Sequence, residues 1–188
     1  MTLIWISASG RRPNASCPYN MEYIWHYVSP LGGITLGSDG KALTGLWFDE
    51  QDHFSVPLPS QAEIQNLPVF DETCRWLDIY FSGRDPGFTP ELALRGTPFR
   101  KAVWEILLTI PFGRTMSYGE IAETVARQMG KPRMSAQAVG GAVGHNPVSI
   151  IVPCHRVIGA DGSLTGYAGG LEKKARLLSL ERRAVAQV

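Results

Sequence analysis

Cys154 and His155 stand side by side in Pro153-Cys154-His155-Arg156-Val157, which follows the apolar run Val148-Ser149-Ile150-Ile151-Val152. The pair sets a nucleophile beside a base. A cysteine thiol titrates near about 8.5, so only a few per cent is thiolate at neutral pH, and attack on carbon needs a base or a positive surrounding. His155 is the nearest candidate, but side chains at adjacent positions diverge, which favours proton transfer through a bridging water over direct contact. Alone, a Cys-His dipeptide says little, because a free cysteine most often behaves as a small buried hydrophobe. Two flanking segments add weight. Gly140-Gly141-Ala142-Val143-Gly144-His145-Asn146-Pro147 lies upstream, and Gly166-Tyr167-Ala168-Gly169-Gly170-Leu171 downstream opens a helical tail ending near Glu181. The apolar run reads as a strand-like approach to the cysteine.

The elements that must hold these residues are mostly helices. Thr97-Pro98 has the form of an N-cap with proline at the first helical position, and Phe99, Val103, Ile106, Leu107 and Ile110 give an apolar stripe up to Pro111. Ser117-Tyr118-Gly119-Glu120 is a capping box that opens a helix through about Gln128. After the basic turn Gly130-Lys131-Pro132-Arg133, Ser135 caps a third helix from Ala136 to about Gly144, rich in small residues. Two short helices joined by a turn, the second with a slim face, form a helix-turn-helix pattern, although tight helix packing accounts for small residues equally well.

The first half reads differently. Residues 1–20 lack sustained periodicity and are expected to be a leader, with Met21 as a candidate start. Short apolar runs split by turn signals follow from Glu22 to Phe48, and Ser38-Asp39-Gly40 marks a hairpin, so a small antiparallel meander is expected. Pro57 to Pro68 reads as loop. Phe70, Cys74, Leu77 and Tyr80 or Phe81 recur at helical spacing, and Gly83 to Glu91 reads as a linker. The expected divisions are a leader over 1–20, an N-terminal domain over 21–91, a C-terminal domain over 92–183 and a tail over 184–188.

Composition bounds the rest. A chain of 188 residues with 44% hydrophobic content builds a real core, and no apolar run approaches the ~20 residues of a membrane span. Leu3-Ile4-Trp5-Ile6 is too short for a signal-peptide core, and three cysteines make no disulfide framework, so a cytoplasmic location is expected. A net charge of +1 does not announce a nucleic-acid binder, and any DNA contact must come from a local patch. No phosphate-cradling glycine loop or dinucleotide fingerprint appears, so no cofactor is expected.

From Gly96 to Glu181 these motifs together resemble the O6-alkylguanine-DNA alkyltransferases, and Pro-Cys-His-Arg-Val is among the more specific of short motifs. The resemblance implies an α/β fold: a small ribonuclease-H-like sheet-plus-helix domain, then a helical domain with a winged helix-turn-helix-like unit. It implies stoichiometric transfer of an alkyl group from O6-alkylguanine in double-stranded DNA to Cys154, by a monomer, with O4-alkylthymine left open as a further substrate. By resemblance His155 and Glu181 form a relay behind the thiol and Tyr118 donates to the departing purine oxygen. Tyr167 and Ala168 line the base pocket with Val157 nearby, and Asn146 links the recognition helix to the active-site segment. Read alone, Glu181 is an exposed helix-end acid, Tyr118 a half-buried core tyrosine and Asn146 an Asn-Pro turn. Arg156 braces the structure by a buried pairing. The recognition helix, with Ala136 and Gly140 on its face, would enter the minor groove, and an intercalating arginine is expected near its start. This chain has Gln137 there, with Arg133 just upstream to supply charge. Some family members hold a structural zinc, but Cys17, His26, His53 and Cys74 match no standard ligand spacing, so no metal is expected. Two other readings stay open: a lesion-binding module without transfer, opposed by Cys154, and a Cys-His hydrolase, opposed by the lack of a sequence-distant histidine and an oxyanion-hole motif.

Overall fold

The computed structural model describes residues 22–49, Gln51 and 62–186. The expected leader, Met21, Cys17, His53 and the last two residues lie outside that range. The meander is present: β1 (Tyr23–Ser29), β2 (Gly32–Ser38) and β3 (Leu43–Phe48) pair antiparallel in sequence order. Gly40 turns the second hairpin at φ +97°, a left-handed conformation that glycine takes without steric cost, while Asp39 Oδ1 accepts from the amides of Lys41 and Ala42. A two-residue strand, β4 (Glu63–Ile64), adds parallel to β1 within the stretch read as loop. Two residues carry no periodicity from which to read a strand.

Helix α1 (Pro68–Phe81) follows, and its buried residues Phe70, Leu77 and Tyr80 join Ile34, Leu36 and Phe48 of the sheet in one core. The second half holds α2 (Pro98–Leu108), β5 (Met116–Ser117), α3 (Tyr118–Gln128), α4 (Ala136–Gly144), β6 (Val157–Ile158) and α5 (Leu171–Val185). Thus the fold is α/β, an N-terminal sheet unit beside a helical C-terminal one. Three of the four C-terminal helix starts are capped as the sequence reads: the side chains of Thr97, Ser117 and Ser135 accept from the amides of Arg100, Glu120 and Ala138. Two lengths differ. Helix α2 stops at Leu108 instead of running to Pro111, and α5 continues a turn past Glu181 to Val185.

The approach to the cysteine is not a strand. Val148 makes a single bridge to Leu46, and then the backbone turns, with Val152 N donating to Val148 O and Ile150 at φ +68°. A β-branched residue rarely adopts that conformation, but Ile150 is fully buried and its surroundings hold it there. An unbroken apolar run reports burial, not extension, which is why it read as a strand. Cys154–Arg156 then form one turn of 3-10 helix.

The edge of β3 receives two later segments of the chain, one at the domain boundary and one from the second half. Leu46 N donates to Pro147 O and Leu46 O accepts from Ser149 N, while Leu43 brackets the chain between Glu91 and Ala93 in the same way. The sheet therefore fixes the height at which the Val148–Cys154 segment lies.

Because the capping box starts α3 at Tyr118, Ser117→Ala should lower stability by about 1 kcal/mol, measured by urea unfolding at neutral pH. A change under roughly 0.3 kcal/mol would show that the box contributes nothing.

Candidate active site

Cys154 lies at the floor of a cavity with its thiol almost wholly buried. Asn146, on the turn after α4, is buried and holds the segment by three bonds. Its Oδ1 accepts from Val148 N (3.0 Å), which leaves Nδ2 to donate to Val152 O (2.7 Å) and to the Cys154 sulfur (3.1 Å). Burial pushes the thiol pKa up. The Asn146 hydrogen bond, the Lys174 charge and nearby backbone N–H groups pull it down by less, so the resting group is a thiol.

Behind it, His155 is fully buried with Nε2 2.7 Å from Glu181 Oε1. Burial alone would raise the Glu181 pKa, but His155 and Arg156 outweigh it and hold the carboxyl at about 2. A carboxylate only accepts, so the ring proton sits on Nε2 and Nδ1 keeps its lone pair. Nδ1 is buried and has no hydrogen-bond partner among the described residues. Burial also depresses the His155 pKa despite the pull of Glu181, so the imidazole is neutral at pH 7 and fit to act as a base.

Glu181 collects further donors. Arg156 Nε and Nη2 approach it at 3.0 Å each, Gly113 N donates at 2.9 Å and the Tyr80 hydroxyl at 2.8 Å. Arg156 Nη1 donates to Ile110 O at 2.6 Å, so this guanidinium ties the 3-10 turn to the end of α2. The acid is thus an interior pivot and not an exposed helix end.

The cavity measures about 580 Å³. Tyr118, Ala136, Gln137, Gly140, Asn146, Cys154, Tyr167 and Ala168 line it, all residues singled out from the sequence. Val143, Gly144, Ser149, Thr165 and Gly166 line it too and were not. Val157 does not: its side chain is in the core, while its carbonyl accepts from Lys174 Nζ at 2.5 Å. Arg133 stands exposed in the turn before α4, away from the lining. The Tyr118 hydroxyl donates to Thr165 O at 3.2 Å, and burial raises its pKa, so it stays a proton donor.

Lys174 is fully buried, and its ammonium also reaches Thr165 O (2.6 Å), fastening the loop that carries Tyr167 and Ala168. In the sequence it sits in the charged run Glu172-Lys173-Lys174 of the helical tail and was not chosen as a site residue. Its spacing to Leu177, Leu178 and Glu181 was the signal that it shares their buried side. Tyr80 was read only as a core aromatic, and nothing local marks it otherwise.

Packing among the described residues does not explain the glycines of α4. A Cβ at Gly141 or Gly144 would meet nothing within 4 Å, and one at Gly140 only the Tyr118 ring at 3.8 Å. Of the zinc candidates, His26 lies against Thr35 and Cys74 is half-buried in α1 with its thiol pushed up to about 11 by burial and the nearby Asp78 and Asp71. No group of three metal-ligating side chains occurs among the described residues.

Residues 23–94 match the family model of the 6-O-methylguanine DNA methyltransferase ribonuclease-like domain, and residues 98–183 that of the 6-O-methylguanine DNA methyltransferase DNA binding domain. A methylated-DNA–protein-cysteine methyltransferase of Mycobacterium tuberculosis is 50% identical over 155 residues, 82% of this chain and 88% of that protein. One from Methanosarcina barkeri is 46% identical over 153 residues, covering 81% and 92%. The crystal structure of Mycobacterium tuberculosis OGT in complex with DNA superposes with a TM-score of 0.74 at 44% identity, covering 86% of this chain and 94% of that one. A buried thiol backed by a neutral imidazole and a carboxylate, beside a helix rich in small residues, accords with these likenesses: the chain belongs to the 6-O-methylguanine DNA methyltransferase family, enzymes that bind DNA and repair it by moving an alkyl group to a protein cysteine.

Proposed function

We propose that Cys154 removes the alkyl group from O6-alkylguanine that has been turned out of duplex DNA into the 580 Å³ cavity. The observation that carries this is the thiol at the floor of an open cavity with the lone pair of His155 Nδ1 buried behind it. The thiol proton passes through a water to Nδ1, and Glu181 steadies the imidazolium that forms. Sulfur then attacks the alkyl carbon and the C–O6 bond breaks with its electron pair on oxygen. Tyr118 donates to that oxygen as charge develops, while Tyr167 and Ala168 flank the base. The product is a thioether with no easy hydrolytic exit, so each molecule acts once.

In this reading α4 lies in the minor groove, with Ala136 and Gly140 against the DNA and Gln137 as the intruding finger. The site is complete within one chain, which suits a monomer, and its free thiol suits the reducing cytoplasm. We divide the chain between 91 and 92, after the linker that follows α1.

Incubation with DNA containing O6-methylguanine should add one methyl mass per molecule, and Cys154→Ala should abolish uptake while DNA binding persists. Full uptake by that variant would refute the assignment, and binding without any mass gain by the parent would leave a recognition module. The Glu181 carboxyl gives a second test. Its pKa falls from 4.5 to about 2 on folding, so it contributes about 3 kcal/mol above pH 4.5 that fades as pH drops toward 2. Glu181→Gln should cost about 3 to 5 kcal/mol at neutral pH, as for a broken buried pair, and the gap to the parent should narrow in acid. A gap that does not change with pH would show that the carboxylate is not the pivot described. Gln137→Arg should quicken repair in duplex DNA more than in a short single strand, where little unstacking energy has to be supplied. Equal gains on both substrates would mean that Gln137 is not the finger.

A further inference from the structure

We propose that Tyr80, on α1 of the N-terminal half, is a positioning residue of the transfer reaction: its hydroxyl sets the proton affinity of the His155–Glu181 pair. This rests on the relay reading above. The Tyr80 oxygen lies 2.8 Å from Glu181 Oε1 and 3.2 Å from His155 Nε2, and the side chain is fully buried. The ring is held on three sides, stacked on Trp76 (5.2 Å between centroids) and edge-on to Phe112 and His155 (5.9 and 6.2 Å). A hydroxyl so placed cannot turn to water.

Ring packing alone would be served by phenylalanine. The hydroxyl does something a phenyl cannot, because it donates to the same carboxylate oxygen that takes the His155 proton. Each donor on Oε1 spreads its charge and weakens its hold on the imidazolium. The groups facing the pair and the phenol are Lys174 from α5, Arg156 from the 3-10 turn and Tyr167 from the loop before α5. Burial and the Glu181 carboxylate raise the phenol's pKa well above its usual value, so it remains a donor wherever the enzyme works. Removing the donor leaves Oε1 more basic and the imidazolium more stable. His155 then stays protonated to higher pH and cannot accept the thiol proton until later in a titration.

The test is the rate of methyl transfer from duplex DNA carrying O6-methylguanine, followed from about pH 5 to 9 in the full chain. For Tyr80→Phe the acid limb should move up by about half a unit, so the rate on that limb falls roughly 3-fold, while the alkaline plateau stays within about 2-fold of the parent. Replacing Tyr80 by 3-fluorotyrosine keeps the shape and strengthens the donor, so it should move the limb down. That second variant decides the matter if Tyr80→Phe does not fold. A loss by the same factor at every pH, or profiles that coincide in both variants, would reduce Tyr80 to packing and overturn the inference. Glu181→Gln separates the two readings. If it leaves the pH profile unchanged, the relay itself is wrong. If it alters the profile and neither Tyr80 variant does, only the role of Tyr80 falls.

Discussion

One buried carboxylate governs how this molecule is put together. Taking an isolated carboxylate out of water costs several kcal/mol, and the cost is offset only where donors fill its lone pairs. Glu181 is supplied by Tyr80, His155, Arg156 and the Gly113 amide, which come from α1, the 3-10 turn and the loop after α2. These donors are remote in sequence, so the acid can be satisfied only when both halves of the chain are docked. The same condition that makes the fold cooperative also fixes the imidazole tautomer. Stability and the protonation pattern of His155 therefore share one group.

The thiol is set by a different opposition. Burial keeps Cys154 protonated, while Asn146, the Lys174 ammonium and backbone amides lower the cost of the thiolate without removing it. A resting thiolate would be exposed to oxidants through the open cavity, whereas in the proposed relay the thiol would ionise only when an acceptor is at hand. Lys174 suits this arrangement, because burial lowers its pKa to about 8, yet its three hydrogen bonds to main-chain carbonyls occupy the ammonium. Its charge reaches the sulfur at a distance, and its contacts hold the pocket loop.

What the sequence made legible follows from how locally each signal is generated. Caps act over three or four residues, so Thr97, Ser117 and Ser135 could be read directly, as could the meander from its turn residues. Eight of the twelve site residues chosen from the sequence line the cavity, seven of them on the strength of the family resemblance and Cys154 also from its own chemistry. The run before Cys154 was misread because burial and extension give the same apolar string, and only the docking of Val148 on β3 selects the turn at Ile150. Tyr80 and Lys174 were invisible as functional groups for a related reason: a core aromatic and one lysine in a charged run acquire their roles from partners 101 and 17 residues away.

Helix α4 shows how an unmet internal demand points outward. Glycine within a helix costs roughly 0.5–1 kcal/mol relative to alanine, and this nine-residue helix carries three. Elsewhere the small size is needed: a Cβ on Gly45 would strike the Trp47 ring at 1.8 Å, and one on Gly169 would press Tyr167 at 2.8 Å and Phe48 at 3.1 Å. At Gly141 and Gly144 there is open space. Nothing within the described residues offsets the loss of helix stability at those two positions. In the reading proposed above, a DNA backbone seated against α4 would meet no side chains at those positions and could approach Gln137 and the cavity above Cys154, both on the lining that α4 shares.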